Sequence, residues 1–379
     1  MSNPTTSRRA FLRNTAAAGT SVIAGIALVG CASRAAPVAA WRPSPGDASA
    51  ARVPVEVAGR RVRTIDVHAH CYIPEALELL GAVEAKATLP PVRGQQQHFI
   101  VVDERLAAMD AMGIDMKVLS INPFWYRQAR SNAESICRLQ NEKLAELCRA
   151  RPDRFGAFAS IALQYPDLAV AQLDDAVRRL GLRGAAIGGS VAGEDFSAPR
   201  FHPVWAKAEE LGATLFIHPQ SAPELARRFK GNGWMSNVIG NPLDTTIALQ
   251  HLIFEGVLDK FPGLKICAAH GGGYVGMNAP RMDFGCYVSP INCDPSIVLK
   301  KRPSEYIRQM YFDALVFTPE ALRHLVAEVG ATQVVLGTDH PIPWETHPVD
   351  HVMHTPALSD ADREAILGGN AARMLGLDR

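Results

Sequence analysis

The chain has 379 residues, 47% hydrophobic and 20% charged, which supplies apolar material for a large core and excludes global disorder. Its formal charge of +1 gives no basic field for nucleic acid. The length suits two or three average domains, or one large α/β barrel with insertions. Seven cysteines without a CxxC spacing make no disulfide framework, and Cys137 and Cys148 are expected on one helix face, too far apart to bond.

At the N-terminus, Ser7-Arg8-Arg9-Ala10-Phe11-Leu12-Arg13 precedes an Ala-, Val- and Gly-rich run from Ala16 to Gly30. Paired arginines before a modest apolar stretch resemble a twin-arginine export signal, and the run is too short and too rich in Gly and Ala for a membrane span. Leu28-Val29-Gly30-Cys31 has the form of a lipobox, which would leave Cys31 as a lipidated N-terminus; the rival is cleavage near Ala40, after Val38-Ala39-Ala40. Residues 1–31 are therefore read as a signal engaging the twin-arginine machinery. Residues 32–60, with Pro37, Pro43, Pro45 and Gly46, read as a flexible linker, and residues 61–379 as the folded domain. The expected location is the periplasm, with a membrane anchor if Cys31 carries lipid. That route carries folded proteins.

Beyond the linker, short apolar runs alternate with stretches of helical period. The runs are Thr64–His70, Met116–Asn122, Phe155–Ile161, Arg183–Gly189, Thr214–Gln220, Lys265–Gly271, Gln309–Leu315 and Val334–His340. Between them Glu104–Met112, Asn132–Ala150, Asp167–Leu180, Pro203–Leu211, Pro242–Lys260 and Pro319–Val329 fit helices, and Ala361–Leu375 reads as a closing helix with a glycine break. Gly181, Gly212 and Gly330 stand where left-handed stops are common. Eight such units predict a (β/α)₈ TIM barrel whose site lies at the C-terminal strand ends. A doubly wound sheet is disfavoured because no Gly-rich phosphate loop follows the first run. The stretch Cys71–Val102 is long enough for a lid or a subunit contact.

The polar residues fall at those ends. His68 and His70, two apart in a strand, project to one face and can grip a divalent ion through neutral ring nitrogens. A lone HxH is a weak motif, since one histidine could as well be a packed core residue. His218, His270 and Asp339, however, also end runs, so five groups can converge on one site. Imidazoles and a carboxylate suit one borderline ion such as zinc, with an open position for water. His270, followed by Gly271-Gly272-Gly273, can approach substrate with little bulk behind it and shuttle a proton.

With these motifs in place, the chain resembles the amidohydrolase-related branch of the amidohydrolase superfamily, and within it the aminocarboxymuconate-semialdehyde decarboxylase group. The likeness spans about residues 63 to 377 and rests on Ile65–His70, Phe216-Ile217-His218-Pro219, the run from Phe261 to Gly273, and Leu336–Pro341; Pro303–Tyr306 and Phe312-Asp313 also fit. The resemblance implies a metal-dependent (β/α)₈ enzyme, usually with one zinc. His68, His70, His218 and Asp339 would be its ligands and His270 the general acid/base. It also suggests a homodimer. Strand four offers no lysine to bridge two metals, which favours a mononuclear site.

Three positions depart from the group. Its arginine before the first barrel helix, which meets the substrate carboxylate, is absent; the chain reads His98-Phe99-Ile100-Val101, with only Arg93 near. The tryptophan that often follows the strand-five His-Pro is Gln220, and the usual Asp-Tyr-Pro reads Asp339-His340-Pro341. Trp234, His340 and Arg93 are the candidate substrate contacts, and Asp313 a residue that could orient a neighbour. The expected activity is metal-dependent decarboxylation of a small carboxylated, cyclic or unsaturated compound. Hydrolysis of a lactone or amide by the same residues is the alternative, and a non-catalytic binding protein a distant third.

Overall fold

The computed structural model describes residues 52–89 and 92–377. The expected signal, Cys31 and most of the linker thus lie outside the described residues. The described end of that linker is ordered structure. Glu56–Val57 pairs antiparallel with Arg60–Arg61, and Val55 and Val57 are buried. Arg52 and Arg61 both pair with Asp115. Alternation of Val55 and Val57 about Glu56 gives this segment one apolar face, so it packs against the domain and the folded part begins before residue 61.

Eight strands follow in the expected places: β1 (Ile65–His70), β2 (Met116–Ser120), β3 (Phe155–Ala157, resuming at Ala159–Ser160), β4 (Gly184–Ile187), β5 (Thr214–Ile217), β6 (Lys265–Ala268), β7 (Tyr311–Asp313) and β8 (Val334–Val335). Each pairs in parallel with its successor, apart from the interruption of β3 at Phe158. The extension after β8 lies along β1: Val67 donates to the Leu336 carbonyl at 3.0 Å, Asp339 N–H to that of His68 at 2.8 Å and His70 N–H to that of His340 at 2.7 Å. Helices Val102–Ala111, Arg130–Ala150, Pro166–Arg178, His202–Leu211, Gly240–Phe254 and Pro319–Val329 alternate with the strands in a (β/α)₈ TIM barrel. Cys137 and Cys148 share the helix Arg130–Ala150 and are both free.

The barrel interior is a separate apolar cluster of Ile65, Val67, Met116, Val118, Phe158, Phe216 and Val335, floored by Ala371, Ala372, Met374 and Leu375. These last residues belong to the helix Asn370–Leu375, reached through a wide π turn at Ala365–Gly369. That turn is the expected glycine break. A Cβ at Gly368 would lie 1.9 Å from the Arg63 carbonyl, so only glycine lets the closing segment approach β1.

In β1 the register against β2 shifts between Asp66 and Ala69. One extra residue there breaks strict alternation, as a β-bulge does. Val67 packs in the interior cluster with Phe216, and the ring of the next residue, His68, also lies 5.2 Å from the Phe216 ring. The bulge thereby turns both histidines inward above the apolar floor.

After β6 the chain makes an excursion in which Cys286 and Cys293 form a disulfide, the one bridge among the six described cysteines. It exposes Phe284, Tyr287, Val288 and Ile291. Among the described residues no helix is long and apolar enough to cross a membrane.

Candidate metal centre

The strand ends bring His68, His70, His218, His270 and Asp339 together. His68 Nδ1 donates to Asp313 Oδ2 at 2.6 Å, and His70 Nδ1 lies 3.1 Å from Ser120 Oγ. With those nitrogens engaged, the two Nε2 atoms face one another at 3.1 Å. Asp339 Oδ1 stands 2.8 Å from His70 Nε2, 3.1 Å from His68 Nε2 and 3.9 Å from His218 Nε2. His270 Nε2 is 3.6 Å from Asp339 Oδ2. Donor atoms of His68, His218, His270 and Asp339 all lie within 4.8 Å of one another.

These residues fit a cation. Both nitrogens of the buried His218 lack a hydrogen-bond partner, and the facing Nε2 atoms of His68 and His70 have no acceptor but the shared carboxylate. Burial disfavours the His68 imidazolium, yet Asp339 and Asp313 outweigh it and push this group up to about 10. Burial lowers His70 and His218. Burial works against the Asp339 carboxylate too, but His68, His270 and His70 hold it well below the usual range. Carboxylates that draw a proton onto His68, beside the His70 and His218 imidazoles that burial keeps neutral, set up the negative potential a divalent ion would meet.

The supporting residues lock this arrangement. Asp313, at the end of β7, also accepts the N–H groups of His270 (3.0 Å) and Gly271 (2.9 Å), so one carboxylate orients the His68 ring and the turn carrying His270. That turn runs through four left-handed residues, His270, Gly271, Gly272 and Gly273, with φ of 56, 60, 77 and 67°. A Cβ on Gly272 would meet the Phe312 ring at 2.5 Å and one on Gly273 the Pro242 carbonyl at 2.1 Å, which is why three glycines follow the histidine. Arg105, fully buried in the helix Val102–Ala111, donates to the carbonyls of His70 and Gln97 and ties the end of β1 to the loop above it. Periodicity alone gives no signal for this inward arginine.

A cavity of about 500 Å³ opens onto the cluster, within the range of small-ligand sites. Its wall includes His70, His218 and Asp339, the apolar Tyr72, Leu89, Phe124 and Ile342, and the polar His98, Asn122, Asn237 and Asn241. Trp234 lines it and stacks on Trp344, with centroids 5.8 Å apart and planes within 11°. The other two candidate contacts lie outside this wall. Arg93 is exposed and outside the wall, because Gly94 packs against the Pro341 carbonyl and leaves its neighbour facing solvent. His340 is outside the wall as well; its carbonyl accepts the His70 N–H of β1, and its half-buried ring keeps a shielded Nδ1 without a partner. Gln220, where the related group often has tryptophan, braces the wall by donating its side-chain amide to the Pro123 carbonyl and its backbone N–H to Asp244.

A metal-binding site at the C-terminal ends of a TIM barrel defines a metal-dependent enzyme of the amidohydrolase type. The family's sequence profile, described as amidohydrolase, matches residues 65–377, and the chain belongs to that family. Within it the chain falls in the branch resembling aminocarboxymuconate-semialdehyde decarboxylase, and it is a carboxy-lyase. It is 33% identical over 279 residues to the 2-amino-3-carboxymuconate-6-semialdehyde decarboxylase of Dictyostelium discoideum, covering 73% of this chain and 77% of the relative. It is 31% identical to the gamma-resorcylate decarboxylase of Rhodococcus jostii, over 74% of this chain and 88% of the relative. The solved dihydroxybenzoic acid decarboxylase of Polaromonas, with bound manganese and the inhibitor 2-nitroresorcinol, superposes with a TM-score of 0.72 at 25% identity, covering 84% of this chain and 98% of that one.

Proposed function

We propose that the protein decarboxylates a small aromatic carboxylate at one divalent ion held by His68, His70, His218 and Asp339, with His270 as the proton-transfer residue. The observation that carries this reading is the convergence of the Nε2 atoms of His68 and His70 on one Asp339 oxygen, 3.1 and 2.8 Å away, beneath a cavity of ligand size. When bound, the ion supplies positive charge that anchors the carboxylate and stabilises negative charge developing on the substrate. The chain does the rest. Tyr72, Phe124 and Trp234 offer aromatic surfaces for a planar ring. His270 Nε2, 3.6 Å from Asp339 Oδ2 in the cavity wall, is placed to deliver the proton that replaces departing carbon dioxide on the ring carbon. Its Nδ1 is buried without a partner, so the ring is steered by its left-handed turn and by Asp313.

Three imidazoles and a carboxylate suit zinc, while the manganese in the Polaromonas enzyme makes that ion the competitor. Metal analysis of protein purified without chelator decides between them. The test of the reaction is carbon dioxide release from aromatic carboxylates by the loaded enzyme. His270→Ala is expected to lower kcat by about a hundredfold or more while the metal stays bound. Turnover that consumes water and releases no carbon dioxide would instead establish hydrolysis.

Twin-arginine export to the periplasm is part of the same proposal, supported by the Cys286–Cys293 disulfide, a bond that persists in oxidising compartments. Lipidation of Cys31 is read out by mass spectrometry of the mature N-terminus. A second copy of this chain is the proposed partner, supported by the exposed Phe284, Tyr287, Val288 and Ile291; light scattering gives the mass in solution.

A further inference from the structure

The cavity wall contains polar atoms that the protein leaves unpaired. His98 is only 2% exposed, its ring forms part of the wall, and neither Nδ1 nor Nε2 has a partner. Asn122, two residues past the end of β2, also lines the wall with a buried Oδ1 that accepts nothing. Unpaired buried donors and acceptors are costly, and a ligand that satisfies them recovers that cost. The His98 ring packs 5.5 Å from Tyr72, which stands 6.2 Å from Phe124, so the imidazole edge continues an aromatic surface. Its backbone is fixed as well, since the His98 carbonyl accepts the Tyr72 N–H. Among the described residues no arginine or lysine lines the cavity.

We propose that His98, together with Asn122, reads a neutral hydroxyl on a singly carboxylated aromatic ring, and that the cavity thereby discriminates against substrates bearing a second carboxylate. This rests on the decarboxylase reading and narrows its substrate class. A neutral imidazole presents one N–H donor and one acceptor nitrogen, and Asn122 Oδ1 is a further acceptor. A hydroxyl, itself donor and acceptor, matches that set. A second carboxylate offers only acceptors, would leave Asn122 Oδ1 unsatisfied, and would be desolvated without a cation to pair with beyond the ion already claimed by the first. Sites built to hydrogen-bond a hydroxyl reject analogues that lack it, because the protein's own polar groups then stay unpaired.

The test is calorimetric binding to the metal-loaded protein, with turnover measured in parallel, of gamma-resorcylate, benzoate and 2-hydroxybenzene-1,3-dicarboxylate. Wild type is expected to bind gamma-resorcylate at least about tenfold tighter than either comparison compound. His98→Phe, which keeps an aromatic body and removes both nitrogens, is expected to shrink the gamma-resorcylate to benzoate ratio to within about threefold through loss of gamma-resorcylate affinity. His98→Arg is expected to shift preference toward the dicarboxylate, and it carries the test if the phenylalanine variant does not fold. Equal affinity of wild type for mono- and dicarboxylate overturns the proposal, as does an unchanged ratio in folded His98→Phe. Selective binding of gamma-resorcylate without carbon dioxide release would leave the recognition standing and remove the reaction. Release of carbon dioxide without selectivity would do the reverse.

Discussion

The ion cluster and the cavity wall lie side by side yet are built on opposite rules. Around the cluster nearly every orienting atom is committed: His68 Nδ1 to Asp313, His70 Nδ1 to Ser120, the His270 backbone to Asp313 and the His70 carbonyl to Arg105. Of the nitrogens left over, Nε2 of His68, His70 and His218 face one carboxylate, while Nδ1 of His218 and of His270 are buried without a partner. In the wall, His98 and Asn122 carry buried polar atoms that no protein group pairs. The cluster is a preorganised site for metal. The wall is a set of open hydrogen-bonding positions whose satisfaction depends on what enters. Rigidity belongs to the charge-handling part and selectivity to the part left unsatisfied.

The sharpest way to break this contrast is Asp339→Ala. It removes the carboxylate that the imidazoles share, and the expected result is loss of bound metal with a fall in kcat/KM of about a thousandfold or more. A variant that keeps a full equivalent of metal by elemental analysis would mean the ion sits elsewhere. Asp313→Asn should be milder, because it touches no ion and only loosens His68 and the His270 turn; metal affinity is expected to weaken by about 10- to 100-fold, read by competition with a chelator. If affinity were unchanged, the committed hydrogen bonds would not be what organises the cluster.

The smallest effect concerns the wall's support. Burial pushes Asp244, which accepts the Gln220 N–H at 2.8 Å, up from 3.8 to about 7, helped by Glu224 and Asp195. The folded chain therefore holds this proton more tightly than the unfolded chain does. Its contribution is fully present below about pH 4 and is lost as pH rises through about 7. Asp244→Asn accepts the same N–H without titrating. Wild type should lose on the order of 1–3 kcal/mol relative to it between those limits, followed by chemical denaturation across pH. Parallel profiles would remove Asp244 as a buried acid.

Much of this was legible in the order of residues. All eight strand positions follow from apolar runs bounded by glycine and polar turns, and His68, His70, His218, His270 and Asp339 stand out because each closes a run. What the sequence did not reveal has physical reasons. A β-bulge at Val67-His68 leaves no mark in an alternation pattern, since its inward pair looks like an ordinary apolar and polar neighbour. The hairpin at Glu56–Arg61 was masked by the proline-rich stretch before it. His98 was visible only as the absence of an arginine; that an imidazole there would be buried and unpaired depends on the backbone bond between His98 and Tyr72, which joins distant parts of the chain. Arg93 and His340 looked suitable by proximity in sequence, but backbone packing at Gly94 and pairing to β1 keep them out of the wall.

The floor of the barrel adds a consequence in time. Ala371, Ala372, Met374 and Leu375 seal the interior from below, and the Met374 carbonyl accepts from Thr214 Oγ1 at 3.4 Å. On a ribosome these residues emerge after all eight strands, so the bore can be sealed only once synthesis reaches the closing helix. The segment that finishes the core thus acts as a completion mark, since the floor is missing until that helix has been made.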